Sequence, residues 1–188
     1  MVAAMLLDVI DNLEIFRPKM DSTKETLHAI ATFAADISPA FPYVNAELGG
    51  WDYDRDNQVL LLKLADGKWL TLHPQKIAIR GARDLDEAHA LLAWMQAQLN
   101  DIYARREAIT PRYASQAGLK VFEILKLLPM TNCKACGYAA CMAYAAALRE
   151  GEISLNECPP LWEEKFEARR EKLQAYLQAY GWRALDAD

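Results

Sequence analysis

Residues 128–159 read LPMTNCKACGYAACMAYAAALREGEISLNECP, and they contain all four cysteines of the chain. The spacing is Cys133-x2-Cys136-x4-Cys141-x16-Cys158. Thiolates gathered in so short a stretch can converge on one point, and soft sulfur donors hold zinc or an iron–sulfur cluster. The stretch therefore predicts a small metal-binding lobe, which is redox-active if it holds a cluster and structural if it holds zinc.

The residues around the cysteines favour a backbone that wraps around a cofactor. Gly137 follows the second cysteine and can adopt the positive φ that a tight turn requires. Cys141 is predicted in the first turn of an alanine-rich helix over about 138–150, where unpaired N–H groups and the helix dipole favour an anionic sulfur. Cys158 returns after a link of 16 residues, and Pro160 suits the first turn of a closing helix.

Zinc is the alternative cofactor that the spacing leaves open. Structural zinc sites commonly pair two C-x2-C units, or one such unit with two histidines, and here the second pair is missing. No histidine follows His89. The spacing favours a cluster over zinc, and a disulfide pair is a weaker alternative in a protein expected in a reducing compartment.

Composition and charge are those of an ordinary globular protein. The chain has 188 residues, of which 53% are hydrophobic and 25% charged, with a net charge of -5 and a pI near 5.3. This acidic balance lacks the excess of positive charge that is typical of a nucleic-acid-binding protein. The N-terminus lacks the basic start of a signal peptide, and no segment offers the roughly 20 apolar residues of a spanning helix. We therefore expect a cytoplasmic protein with no membrane span and no nucleic-acid partner.

The stretch from Leu128 to Pro159 resembles the short four-cysteine [4Fe-4S] domain of the corrinoid iron–sulfur protein large subunit and of the Rnf complex B subunit. The likeness includes the Leu-Pro before the first cysteine, the Cys-Gly step, the alanine-rich helix with its closing glycine, and the final Cys-Pro. The resemblance implies one [4Fe-4S] cluster ligated by Cys133, Cys136, Cys141 and Cys158. It also implies one-electron transfer to or from a redox partner protein, whose identity is not inherited because the rest of the chain departs from both relatives.

Other residues near the cysteines are candidates for supporting roles. Lys126, Lys134 and Arg149 lie close in sequence and could offset the negative charge of a cluster, with surface solvation as the alternative. Tyr138 and Met142 flank the ligands and are expected to pack against a neighbouring helix or to shield the cluster.

The region before the cysteines is predicted to contain strands and helices. Residues 13–17 suggest a strand ended by Pro18. The Ser22-x-x-Glu25 pattern predicts a capped helix that runs to about Ile37. One face of this predicted helix would carry Leu27, Ile30, Ala31, Ala34 and Ile37.

A hairpin and a long helix follow in the prediction. The apolar runs 59–64 and 69–73 flank Asp66-Gly67, which is a strong turn signal, and 77–80 adds a third strand. Asp84 is predicted to cap the long helix. The apolar stripe of this helix comprises Leu85, Ala88, Leu92, Met95, Leu99 and Ile102.

The fold class predicted from these patterns is α+β with two domains. Residues 1–110 form an α+β domain of unknown function, an antiparallel sheet packed with helices, and 107–112 looks like a hinge. Residues 111–188 form an all-helical cluster-binding lobe. Its helices are predicted over about 117–128, 138–150 and 160–180.

The predicted function is that of an electron carrier or accessory protein rather than an enzyme. No nucleophile–base pair or open metal site can be read from the sequence, and His28, His73 and His89 are scattered. The acids of residues 51–56 predict a solvated turn, because the glycine and terminal glutamate of a calcium loop are missing. The alternative function is a non-redox adaptor, in which zinc or a structural cluster holds the lobe while the first domain binds another protein.

Overall fold

The computed structural model describes residues 5–18, 26–64 and 67–182. The chain divides into two compact units, Met1–Tyr113 and Ala114–Asp188. Strands and helices occupy the first unit and helices the second, which confirms the predicted α+β class. No helix within the described ranges is long and apolar enough to cross a membrane.

The first unit is built on an antiparallel sheet, which has six strands within the described residues. The strand order is β1-β2-β6-β5-β4-β3. The strands are β1 (Asn12–Phe16), β2 (Leu27–Thr32), β3 (Asp52–Asp54), β4 (Val59–Lys63), β5 (Trp69–His73) and β6 (Lys76–Ala82).

Two helices cover one face of this sheet. They are α1 (Phe41–Leu48) and α2 (Leu85–Ala104), and their buried side chains join those of the strands in one hydrophobic core. Every second side chain along the central strands points into that core, as strands with one covered face require. The buried set comprises Leu60, Leu62, Leu70, Leu72, Ile77 and Ile79.

The predicted helix from Ser22 to Ile37 is wrong where the structure describes it, because residues 27–32 form β2. Ala29 and Ala31 are buried, and β2 pairs with β1 on one side and β6 on the other. The apolar residues of this stretch fit an alternating pattern as well as a helical one, and they are Leu27, Ala29, Ala31 and Phe33. Pairing with the neighbouring strands therefore selected the strand conformation. The capping-box residues Ser22 and Glu25 lie outside the described residues.

The predicted hairpin and long helix are confirmed. Strands β4 and β5 pair antiparallel, and Gly67 between them has a φ of 70°. The Asp84 carboxylate caps α2 by accepting a hydrogen bond from the Glu87 N–H at 2.8 Å. Five of the six predicted stripe residues are buried in the core, and Leu85 is 55% exposed because it starts the helix beyond the sheet-facing stripe.

Two elements of the first unit were not predicted. Helix α1 begins at Phe41, and Pro42 lies in its first turn, where proline is tolerated. The helix ends at Leu48, and Gly49 caps it in the left-handed conformation. Strand β3 occupies part of the stretch predicted as a solvated turn, and the turn proper covers 55–58.

The second unit consists of helices and short 3-10 turns around its own core. The helices are α3 (Val121–Leu127), α4 (Cys141–Glu150) and α5 (Glu167–Ala179). Each is shorter than predicted, and 3-10 turns at Pro159–Trp162 and Glu164–Phe166 precede α5. The largest contributors to the core are Ile124, Leu128, Tyr144, Leu148, Leu161, Leu173 and Leu177.

Candidate metal centre

All four cysteines line one cavity in the second unit. Cys133 and Cys136 lie on the loop before α4, Cys141 is the first residue of that helix, and Cys158 lies between two 3-10 turns. Three separate parts of the unit therefore contribute thiols to the same space. The remaining lining residues are Leu128, Thr131, Asn132, Lys134, Tyr138, Ala140, Tyr144 and Pro160.

The loop that carries the first two cysteines has an unusual backbone. Gly137 has a φ of 83°, which confirms the positive φ predicted for it. Met130, Asn132 and Lys134 also have positive φ values, of 58°, 48° and 62°. Left-handed residues other than glycine each cost roughly 1–2 kcal/mol, and such residues concentrate at functional sites. The loop is thus held in a strained, tightly wound shape around the cavity.

Asn132 joins this loop to the start of α4. Its side-chain oxygen accepts a hydrogen bond from the Cys141 N–H at 2.9 Å. That N–H has no partner within the helix, so Asn132 acts as a cap supplied from nine residues away. This role was not predicted from the sequence, where the only signal was that asparagine tolerates the left-handed conformation.

Hydrogen-bond donors surround the Cys133 sulfur. The Thr131 hydroxyl and the Ala135 N–H donate to it, and together they hold the pKa of the Cys133 thiol below its usual range. Cys133 is exposed. The first cysteine is therefore both solvent-facing and arranged to carry negative charge.

Cys158 is the buried cysteine of the cavity and is 6% exposed. Burial raises the pKa of the Cys158 thiol, and a hydrogen bond from the Leu161 N–H offsets part of that rise. Negative charge on Cys136, Cys141 and Cys133 raises it further.

Tyr144 fixes the position of the chain just before Cys158. The ring is 1% exposed, and its hydroxyl donates to the carbonyl oxygens of Ser154 at 3.0 Å and Leu155 at 3.4 Å. Burial raises the pKa of this phenol. The edge of the Tyr138 ring packs on it, with ring centroids 6.0 Å apart. The two tyrosines form an apolar wall behind the cysteines.

The predicted supporting residues separate into different roles. Lys134 lines the cavity, whereas Lys126 pairs with Glu123 at 2.8 Å. Arg149 donates to the carbonyl oxygens of Leu119 at 2.9 Å and Ala117 at 3.2 Å, so it connects α4 to the segment before α3. Tyr138 packs on the core of the unit, and Met142 is 38% exposed.

The histidines do not contribute to this site. His28 and His73 lie on strands of the first unit, and His89 lies on α2. Across the part of the chain that the structure describes, no three Cys, His, Asp or Glu side chains form a group that could hold a metal ion. The four thiols thus share a cavity without meeting at a single atom.

The residues present fit an iron–sulfur cluster. The donors are four soft thiols, and N–H and hydroxyl groups bond to their sulfurs. Apolar side chains close one side of the cavity, and one cysteine faces solvent.

Comparison with known proteins identifies the class of this segment. Residues 128–160 match the family model described as "Putative Fe-S cluster". This range contains all four cysteines, and the match confirms the resemblance to the four-cysteine iron–sulfur domain. The match points to an iron–sulfur cofactor for this segment.

The similar proteins include components of multi-protein complexes. The gamma subunit of the acetyl-CoA decarbonylase/synthase complex of Methanocaldococcus jannaschii is 47% identical over 55 residues, which cover 29% of this chain and 11% of that protein. The B subunit of the ion-translocating oxidoreductase complex of an Azoarcus species is 42% identical over 53 residues, 28% of this chain and 29% of that protein. An uncharacterised protein of M. jannaschii is 44% identical over 61 residues, 32% of this chain and 27% of that protein.

The chain thus spans less than a third of the length of each of these relatives. No solved structure matches it.

Proposed function

We propose that Cys133, Cys136, Cys141 and Cys158 ligate one [4Fe-4S] cluster and that the protein transfers single electrons to or from a partner protein. The observation that carries the proposal is the cavity that all four thiols line. They reach it from a strained loop, a helix N-terminus and a 3-10 turn. Packing alone does not explain this convergence. Hydrogen-bond donors that point at the sulfurs stabilise thiolates, which are the form of cysteine that binds a metal or a cluster.

The space between the thiols favours a cluster over zinc. Four sulfurs bound to one zinc ion lie about 2.3 Å from it and therefore about 3.8 Å from one another. All four thiols line one cavity, yet among the described residues no three Cys, His, Asp or Glu side chains converge as a single metal ion requires. This wider arrangement of the sulfurs supports the [4Fe-4S] type, to which the resemblance also points.

The surrounding residues set the electrostatic conditions of the site. When bound, a cluster of this kind supplies one-electron oxidation and reduction. The Thr131 hydroxyl and the Ala135 and Leu161 N–H groups stabilise negative charge on the sulfurs they contact. Lys134 adds a positive charge at the cavity wall. These groups favour the more negative, reduced state of the site.

Exposure at Cys133 defines where a redox partner would approach. Tyr144 is buried and the half-buried Tyr138 ring packs on it, while Cys133 on the loop is exposed. Electron transfer needs close approach, so the exposed edge is the side we assign to the partner. Similarity to subunits of multi-protein complexes also supports a partner protein.

Metal and sulfide analysis under anaerobic conditions tests the proposal. We expect about four iron and four sulfide ions per chain, and an EPR signal of a reduced cluster after dithionite. Replacing each cysteine with serine in turn should lower the iron content, whereas Met142→Leu, next to a ligand but outside the cavity lining, should not. One zinc per chain without sulfide, even after anaerobic reconstitution, would instead support the non-redox adaptor.

A further inference from the structure

A row of aromatic and basic side chains crosses the sheet on the face opposite α1 and α2. The strand register places Phe16, His28, Arg80, Trp69 and Lys63 side by side on β1, β2, β6, β5 and β4. Their sequence neighbours Ala29, Ile79, Leu70 and Leu62 are buried in the core. Because side chains alternate along a strand, the row projects from the other face. We refer to these five residues as the cationic–aromatic row.

The members of the row contact one another. The rings of Phe16 and His28 meet edge to face with centroids 5.8 Å apart. The Arg80 guanidinium lies 5.5 Å from the centroid of Trp69. The Lys63 ammonium lies 6.0 Å from Trp69 and 4.9 Å from Trp51, which extends the row toward β3. Mutual contacts of this kind hold the charged groups in place at the surface.

The centre of this face is positively charged. Arg80 is exposed, and among the described residues no carboxylate pairs with it. Burial and the Arg80 charge lower the pKa of His28, and burial and the Lys76 charge lower that of His73. Among the described strand residues, the acids of this face are Glu14 on β1 and Asp52 and Asp54 on β3, at the edges of the sheet.

Two shallow cavities flank Arg80, and Thr71 and Arg80 line both of them. The first, of about 180 Å³, is also lined by Leu61 and Trp69. The second, of about 220 Å³, is also lined by Phe16 and Ile30. The face therefore combines apolar depressions with a central guanidinium.

We propose that this face is a docking site for a partner protein whose contacting segment is acidic and carries apolar side chains. The row crosses four inter-strand spacings, about 19 Å, which is longer than a small metabolite. Tryptophan and arginine dominate the energetic centres of protein interfaces. The basic centre of this face selects an acidic segment by local charge complementarity.

Single-stranded nucleic acid fits this face less well. Stacking of bases requires open aromatic faces. Here Arg80 lies over the Trp69 ring and Lys63 over the Trp51 ring.

Fluorescence anisotropy with three labelled probes tests the docking site on the full-length protein. The probes are an acidic peptide of four Glu-Leu-Gly repeats, a basic peptide of four Lys-Leu-Gly repeats and a twelve-nucleotide oligothymidylate. We expect the acidic peptide to bind tightest, with an affinity that falls as salt rises. Arg80→Gln should weaken it about tenfold. Thr71→Glu should weaken it too, and Thr71→Lys should strengthen it, since Thr71 lies between the cavities.

Arg106→Gln is the matched control, because Arg106 also lies over an aromatic ring, 4.3 Å from the centroid of Tyr103, but on the segment after α2. It should leave acidic-peptide binding unchanged. Absence of acidic-peptide binding, equal or tighter binding of either other probe, or the same loss in Arg106→Gln would overturn the proposal. The iron and sulfide content of the protein does not depend on peptide binding. The docking proposal and the cofactor proposal can therefore be disproved separately.

Discussion

At the scale of single residues, the candidate centre depends on a few side chains that hold the cysteine loop in shape. Left-handed φ values at Met130, Asn132 and Lys134 mean that this loop is not the lowest-energy conformation of its own sequence. Hydrogen bonds to the rest of the unit must offset that cost. Asn132 supplies one of them and is the residue whose replacement is most informative.

We predict that Asn132→Gly weakens cluster retention. Glycine keeps the left-handed backbone but removes the oxygen that accepts the Cys141 N–H, and the lost hydrogen bond costs about 1 kcal/mol. Loss of a supporting group at a metal site typically reduces affinity at least about tenfold. The measurement is the rate of iron release to a chelator under anaerobic conditions.

Asn156→Gly is the control, since Asn156 is an exposed asparagine in the same unit. Equal release rates for Asn132→Gly and the unmodified protein would show that the Asn132 hydrogen bond does not support the site.

At the scale of elements, the start of α2 is held by charged groups as well as by its cap. The Glu87 carboxylate accepts hydrogen bonds from the Arg83 N–H at 2.6 Å and from the Arg83 side chain at 2.9 Å. The Lys68 ammonium lies 3.4 Å away. These contacts, led by the Arg83 side chain, lower the pKa of Glu87 to about 2.

We predict that Glu87→Gln lowers stability by about 1–2 kcal/mol at pH 7, because the charge-assisted hydrogen bonds are lost. The pKa of Glu87 is lower in the folded chain than its ordinary value of 4.5. Its contribution is therefore fully present above pH 4.5 and disappears as the pH falls toward 2. Urea unfolding of the variant and the unmodified protein, compared from pH 7 down to pH 3, should show the difference shrinking.

Glu107→Gln is the control for this pH dependence, since the Glu107 side chain is 89% exposed. A stability difference for Glu87→Gln that stayed constant over the whole pH range would contradict the role of its charge.

Strand β2 shows why local patterns fail at some elements and succeed at others. Residues 27–32 satisfy a helical and an alternating pattern at once, and pairing with β1 and β6 selects the strand. The hairpin at β4 and β5 has no such ambiguity, since its turn residues lie directly between two apolar runs. Helix α2 was predictable for a similar reason, because its stripe repeats over many turns.

At the scale of the whole molecule, the chain has two compact units, each with its own hydrophobic core. The cysteines belong to the second unit, and the cationic–aromatic row belongs to the first. The cofactor and the approach of the redox partner are therefore assigned to the second unit, and the docking of an acidic segment is assigned to the first. We propose that the boundary between two separately folding domains lies near residue 113.

We predict that Cys136→Ser loses most of the iron while the first unit stays folded. The second core depends on the cysteine loop, whereas the first core contains no cysteine. Limited proteolysis of the variant followed by mass spectrometry should release a resistant fragment that ends near residue 113. Simultaneous degradation of both parts would contradict the two-domain proposal.

Cysteine spacing, the Cys-Gly step and the closing Cys-Pro were sufficient to recognise the iron–sulfur segment, because metal ligands must recur at spacings that the chain can wrap. Strong periodicity and the Asp-Gly turn were likewise sufficient for α2 and the hairpin. Pairing between distant segments decided the rest. It placed Phe16, His28, Arg80, Trp69 and Lys63 in one row. The folding of the cysteine loop brought Asn132 to the Cys141 N–H, nine residues along the chain. Neither arrangement can be predicted from the order of neighbouring residues, because each arises from contacts that form only when the chain is packed.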